Sequence, residues 1–149
     1  MSDRVRHNFD KKKVQQAFEK EATRLVSRIA VFYATQLSKA VNQGGPGDPS
    51  PPGKPPFNQT GTLLRSLQAN YRSPRKPQKK GKRIALSVGT DVRYARALEY
   101  GYPKRNLQPR PFFGDTLRDR SNVAKVKREI AKVRQRIRRL IQQTKGAPK

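Results

Sequence analysis

The sequence predicts an α+β fold, and three observations carry that prediction. Apolar residues recur at helical spacing from residue 10 to residue 41. They alternate as in a half-buried strand at Ile84, Leu86 and Val88, and they step by three and four again from Val123 to Leu140. The expected architecture is a long N-terminal helix, a small antiparallel sheet and a long basic C-terminal helix. A chain of 149 residues fits these into one domain, 1–149.

The first helix rests on Val14, Phe18, Ala22, Leu25, Ile29 and Phe32, with Leu37, Ala40 and Val41 beyond. Asp10 is the expected N-cap, and "NQGGPGDP" is a stop signal. Such a helix runs roughly 45 Å, longer than a small core covers, so one end is expected to meet another subunit. Residues 43–59, "QGGPGDPSPPGKPPFNQ", carry no apolar period and are rich in proline and glycine. They are expected to form an extended, exposed loop that is disordered in the free monomer. Gly53-Lys54 is no phosphate-binding loop: the spacing puts Asp48 where a glycine is required and Pro55 where a Ser or Thr would hold magnesium.

"TGTLLRSLQANY", 60–71, reads as a short helix capped by Thr60 or Thr62, with Leu63, Leu64 and Leu67 inward. A basic hairpin-like stretch follows, then the strand "RIALSVGT", which part of 68–75 is expected to pair. "VRYARALEYG" predicts one or two helical turns closed by Gly101 as a left-handed C-terminal residue. From Pro111 the chain turns helical again, and 118–149 form a basic helical extension with twelve positive and two negative side chains. Its stripe of Val123, Val126, Ile130, Val133, Ile137 and Leu140 is too short to define a coiled coil.

Charge sets the partner class. The chain carries 35 Lys and Arg against 10 Asp and Glu, a net +25, and should seek polyanions or acidic surfaces. Nucleic acid is the first candidate, through Lys76, Lys79, Lys80 and Lys82 and through Arg128, Lys132, Arg134, Arg136, Arg138 and Arg139. A solvated charged face and docking on acidic protein compete with that assignment. A membrane surface is the weakest partner, because the apolar side of the last helix has no aromatic residue, and no stretch reaches membrane-spanning length. The N-terminus has no apolar run of the signal-peptide kind, so a soluble, unsecreted protein is expected.

Catalytic chemistry finds no support. With no cysteine there is neither a disulfide nor a thiolate metal site. The one histidine, His7, lies in a terminal tail. Glu19 and Glu21 point to different helix faces, and nothing in the spacing of Asp91, Glu99 and Asp115 makes a metal-assisted nuclease. We expect no catalytic residues, no metal and no cofactor. Phe18, Phe32 and Tyr33 read as packing residues, whereas Tyr94, Tyr100, Tyr102, Phe112 and Phe113 cluster in a segment of low charge. Interface anchors or core plugs explain that cluster better than a base-stacking platform.

Three blocks occur in fixed order: "PPFNQTGTLLRSL" at 55–67, "VGTDVRYARALEYG" at 88–101 and "QPRPFFGDTL" at 108–117. They resemble the tail-completion, or head–tail joining, family of tailed bacteriophages. That pattern has Thr-Gly before Leu-Arg-x-Ser, a strand ending Val-Gly-Thr, Tyr-Ala with Leu-Glu-x-Gly, and Arg-Pro-Phe leading into the last helix. Thr60, Gly61, Leu64, Arg65 and Ser66 carry the first element, and Val88, Gly89 and Thr90 the second. Tyr94, Ala95, Leu98, Glu99 and Gly101 carry the third, and Arg110, Pro111 and Phe112 the fourth. The match spans 55–117, under half the chain; the proline loop and the basic last helix depart from it.

The resemblance implies the same α+β class and a non-enzymatic role in a ring of the virion neck, assembled in the host cytoplasm. The ring would complete the tail or join it to the head, with the hexamer ahead of the dodecamer. Its partners would be other neck, connector and tail-tube proteins, and packaged double-stranded DNA. Tyr94, Glu99, Tyr100, Tyr102, Arg110, Pro111, Phe112 and Phe113 are the expected interface residues. The alternative from another class is a sequence-independent nucleic-acid-binding protein of ribosomal or nucleoid type.

Overall fold

In the computed structural model, residues 11–43, 47, 49–72, 76–81 and 83–146 are described. The expected Asp10 cap, His7 and Lys82 lie outside them. The chain is α+β: α1 (Lys11–Val41), α2 (Thr62–Arg72), β1 (Gln78–Lys80), β2 (Arg83–Ala85), α3 (Ala95–Tyr100), a 3-10 turn (Pro103–Arg105), α4 (Phe113–Arg118) and α5 (Arg120–Gly146).

Helix α1 buries Ala30, Ala34, Leu37, Ser38 and Val41, all in its second half. Thr23, Ser27, Thr35 and Ser38 return their hydroxyl protons to carbonyls one turn back, which makes the burial of Ser38 tolerable. Phe18, expected on the core face, is instead 49% exposed. The first half of α1 buries no residue of its own and is lined by the hairpin and by α5, whose Val133 is buried. Phe32 meets Lys125, Arg28 meets Glu129 and Glu21 meets Arg136. Each step back along α1 matches an equal step forward along α5, so the two helices run antiparallel.

Helix α2 starts after Gly61, whose φ of 72° and carbonyl (accepting Arg65 N–H at 2.8 Å) make it the capping position. Thr60 contributes only a long bond, its Oγ1 accepting Thr62 N–H at 3.4 Å. Leu63 and Leu67 are buried as expected. The strand partner differs from expectation: α2 continues through Arg72, and β2 pairs antiparallel with β1 in the register Gln78↔Ala85, Lys79↔Ile84 and Lys80↔Arg83. The ladder stops at Ala85, yet Ile84, Leu86 and Val88 stay half-buried while Arg83, Ala85 and Ser87 are exposed. Side chains of α2 hold this continuation in place of a ladder. Asn70 Nδ2 donates to Gly89 O at 2.6 Å, and Ser66 and Thr90 share a hydroxyl hydrogen bond at 2.7 Å.

Gly101 ends α3 with φ 78° and ψ 171°, outside the left-handed helical cap that its position predicts. Its role is close approach, since a Cβ there would sit 2.9 Å from Leu107 O and 3.1 Å from Pro109. The helix expected to run on from Pro111 breaks at Asp119 (φ −54°, ψ 125°). Asp119 then caps α5, its Oδ1 accepting Asn122 N–H at 2.9 Å and the Ser121 hydroxyl. Leu37, Val41, Leu63, Leu67, Ala95 and Phe112 form the core, with Leu64, Val88, Val92, Leu98 and Phe113 packed around it. That core gathers α1's end, α2, α3 and α4; the α1–α5 pair extends beyond it.

Candidate interaction surfaces

The three sequence blocks meet at the core, where Leu63 and Leu67 pack with Ala95 and Phe112 and Ser66 bonds Thr90. Glu99, on α3, accepts the backbone N–H groups of Phe112 and Phe113 on Oε2 (2.8 and 2.9 Å) and of Gly114 on Oε1 (2.8 Å). Those are the orphan donors at the start of α4, which has no side-chain cap of its own at Phe112. Arg110 N–H donates to Leu98 O at 2.6 Å, and Arg110 Nε donates to Ser50 O at 2.9 Å. Gly53 N–H reaches Pro109 O at 2.9 Å, and Asn58 N–H reaches Gln43 O at 3.2 Å.

These bonds correct two expectations. The described part of 43–59 is not a free loop: Ser50 and Pro56 are buried and the segment is tied to 109–110. A segment without apolar period can still dock, because its prolines have little freedom left to lose. The second correction concerns the interface residues. Phe112 is fully buried at the centre of the core, stacked at a tilt on half-buried Phe113 with ring centroids 4.9 Å apart. Phe112 is therefore internal to the protomer, whereas Glu99 and Arg110 are half-buried and make the bonds above within it. Pro111 is half-buried.

Three tyrosines remain on the surface: Tyr94 at 45% exposure, Tyr100 at 74% and Tyr102 at 41%. Tyr94 edges an apolar cleft of about 420 Å³ walled by Val41, Pro56, Phe57, Leu63, Leu64 and Leu107. Ser50 Oγ is buried on that wall without a hydrogen-bond partner among the described residues. An aromatic rim beside an apolar cleft suits protein contact, where aromatic anchors fill pockets and exclude water.

The basic residues divide by what they touch. Lys79 is paired with Glu19, and its hydrogen bond, followed by that of Gln15, holds the Glu19 carboxyl below its ordinary value. Lys132 bonds Glu129 at 2.9 Å and is the main reason that the Glu129 carboxyl is also held low. Arg136 lies 3.6 Å from Glu21, and Arg128 Nε donates to its own helix at Ala124 O. Lys76, Lys80, Arg134, Arg138 and Arg139 are exposed.

No group of three His, Asp or Glu placed to hold a metal occurs among the described residues, and none of their helices is long and apolar enough to cross a membrane. Compared with known proteins, the chain matches no family model, no curated protein and no solved structure.

Proposed function

We propose that the chain is a non-enzymatic structural subunit of a tailed-bacteriophage neck, forming a ring that completes the tail or joins it to the head. One observation carries this reading: segments 55–67, 88–101 and 108–117, which bear the resemblance to that family, make a single interlocked joint. Ser66 bonds Thr90, Leu63 and Leu67 pack with Ala95 and Phe112, Arg110 N–H bonds Leu98 O, and Glu99 binds the start of α4. The exposed Tyr94, Tyr100 and Tyr102 supply a subunit contact. A nucleic-acid binder of ribosomal or nucleoid type fits the charge equally well, but it assigns no role to the joint or to the tyrosines.

Native mass spectrometry of the full chain tests the ring. The expected result is a closed oligomer of one stoichiometry, a hexamer before a dodecamer. Tyr100→Ala with Tyr102→Ala should dissociate it at unchanged helicity, since an interface tyrosine contributes on the order of 2 kcal/mol. A wild-type chain that stays monomeric at every concentration contradicts the ring.

A further inference from the structure

Seven cations of α5 form two rows with different fates. At 3.6 residues per turn, Arg120, Lys127, Arg134 and Arg138 fall within about 40° of one another around the helix. Lys125, Lys132 and Arg136 lie on the other flank of the apolar stripe, toward α1. That second row is engaged: Lys125 sits 4.5 Å over the Phe32 ring, Lys132 bonds Glu129, and Arg136 approaches Glu21. The first row is exposed along its whole length and makes no hydrogen bond, ion pair or ring contact among the described residues.

Among the described residues no acid pairs with the open row. Residues 118–149 contain two acids, Asp119 and Glu129. Asp119 caps α5, and Glu129 pairs with Arg28 and Lys132. The exposed positions between the rows are Ser121, Ala124, Ala131, Gln135 and Gln142, all small or neutral, and Arg128 and Arg139, which add two further cations. A protein partner would need a large apolar or aromatic anchor at the centre of such a face, and a single strand would need aromatic rings to stack its bases. This face has neither. Four cations over roughly 27 Å of helix suit a duplex, whose phosphates supply one negative charge per about 1.7 Å.

We infer that Arg120, Lys127, Arg134 and Arg138 form a sequence-independent binding site for the phosphate backbone of duplex DNA. The site goes beyond the ring reading and stands without it. Lys132 and Arg136 belong to the α1–α5 seam instead.

Fluorescence anisotropy of a random-sequence duplex, titrated with the full chain at several salt concentrations, tests the site. The variant Arg120→Gln, Lys127→Gln, Arg134→Gln, Arg138→Gln is compared with a charge-matched control, Lys12→Gln, Lys20→Gln, Arg93→Gln, Lys104→Gln. Four phosphate contacts contribute about 3.6 to the slope of log affinity against log salt, or about 150-fold between 50 and 200 mM. The row variant should lose that slope and the control should keep nearly all of it. If the fourfold variant loses helicity, Arg134→Gln and Arg138→Gln singly should each lower the slope by about 0.9. Equal losses in variant and control, tighter binding to single strands, or binding to polyglutamate with none to duplex would overturn the site. Sedimentation of the same samples reports assembly separately, so a failed ring leaves the slope readable.

Discussion

Glu99 shows how one residue organises distant sequence. Its carboxylate meets three backbone N–H groups, at Phe112, Phe113 and Gly114, and so fixes where the chain dives under α3 to bury Phe112. Glu99→Ala leaves those donors without their acceptor, at a cost on the order of 3 kcal/mol. Glu99→Gln keeps one oxygen as an acceptor but turns its amide toward a donor, so about half that loss is expected. Urea unfolding midpoints of the two variants measure both values, and an alanine variant as stable as wild type refutes the clamp. The sequence marked Glu99 through its place in Leu-Glu-x-Gly but gave no hint of its partner, which lies thirteen residues away across a turn. Leu63 and Leu67 were legible because helix period and burial coincide there. Phe112 was legible as an interface anchor or a core plug, but not as which of the two, since an aromatic in a proline-rich loop reads the same in either place.

Among elements, α1 and α5 were the most readable, each carrying a long apolar stripe of helical period. The break at Asp119 was missed, although Asp ahead of Ser121 and Asn122 is a capping signal, because the apolar period resumes directly after it. The sheet was misjudged for a physical reason: propensity placed the alternating residues but not their partner, and α2 had already taken 68–72. The seam between α1, α5 and the hairpin is held partly by carboxylates, which predicts its response to acid. Glu19 is held below its ordinary value by Lys79, Glu129 by Lys132, and Asp119 by Ser121 and then Asn122. Because folding depresses these values, their contribution is complete above the unfolded carboxylate range near pH ~4 and is lost as pH falls through the lower folded values. The thermal midpoint should be level from neutral pH to about 5 and decline below about 4, and Glu129→Gln should remove part of the decline. A midpoint that rises on acidification contradicts this account of the seam.

For the whole molecule, a small core at one end supports a long helical pair that carries most of the C-terminal charge. Glu19, Glu21, Glu99, Asp119 and Glu129 all make internal bonds, and the chain as a whole keeps a net charge of +25. Such a chain repels its own copies, and a ring of them needs both the tyrosine rim to adhere and an anion to offset the charge. The Tyr100–Tyr102 rim and the open row on α5 are the two surfaces that we assign to those tasks. The most direct measurement of the structural reading is quantitative mass spectrometry of tailed-phage particles purified from cells carrying this gene within its own genome. The account predicts this chain in intact particles at a fixed, ring-like copy number relative to the other neck proteins. Its absence from intact particles, with the protein abundant in the same lysate, would contradict it.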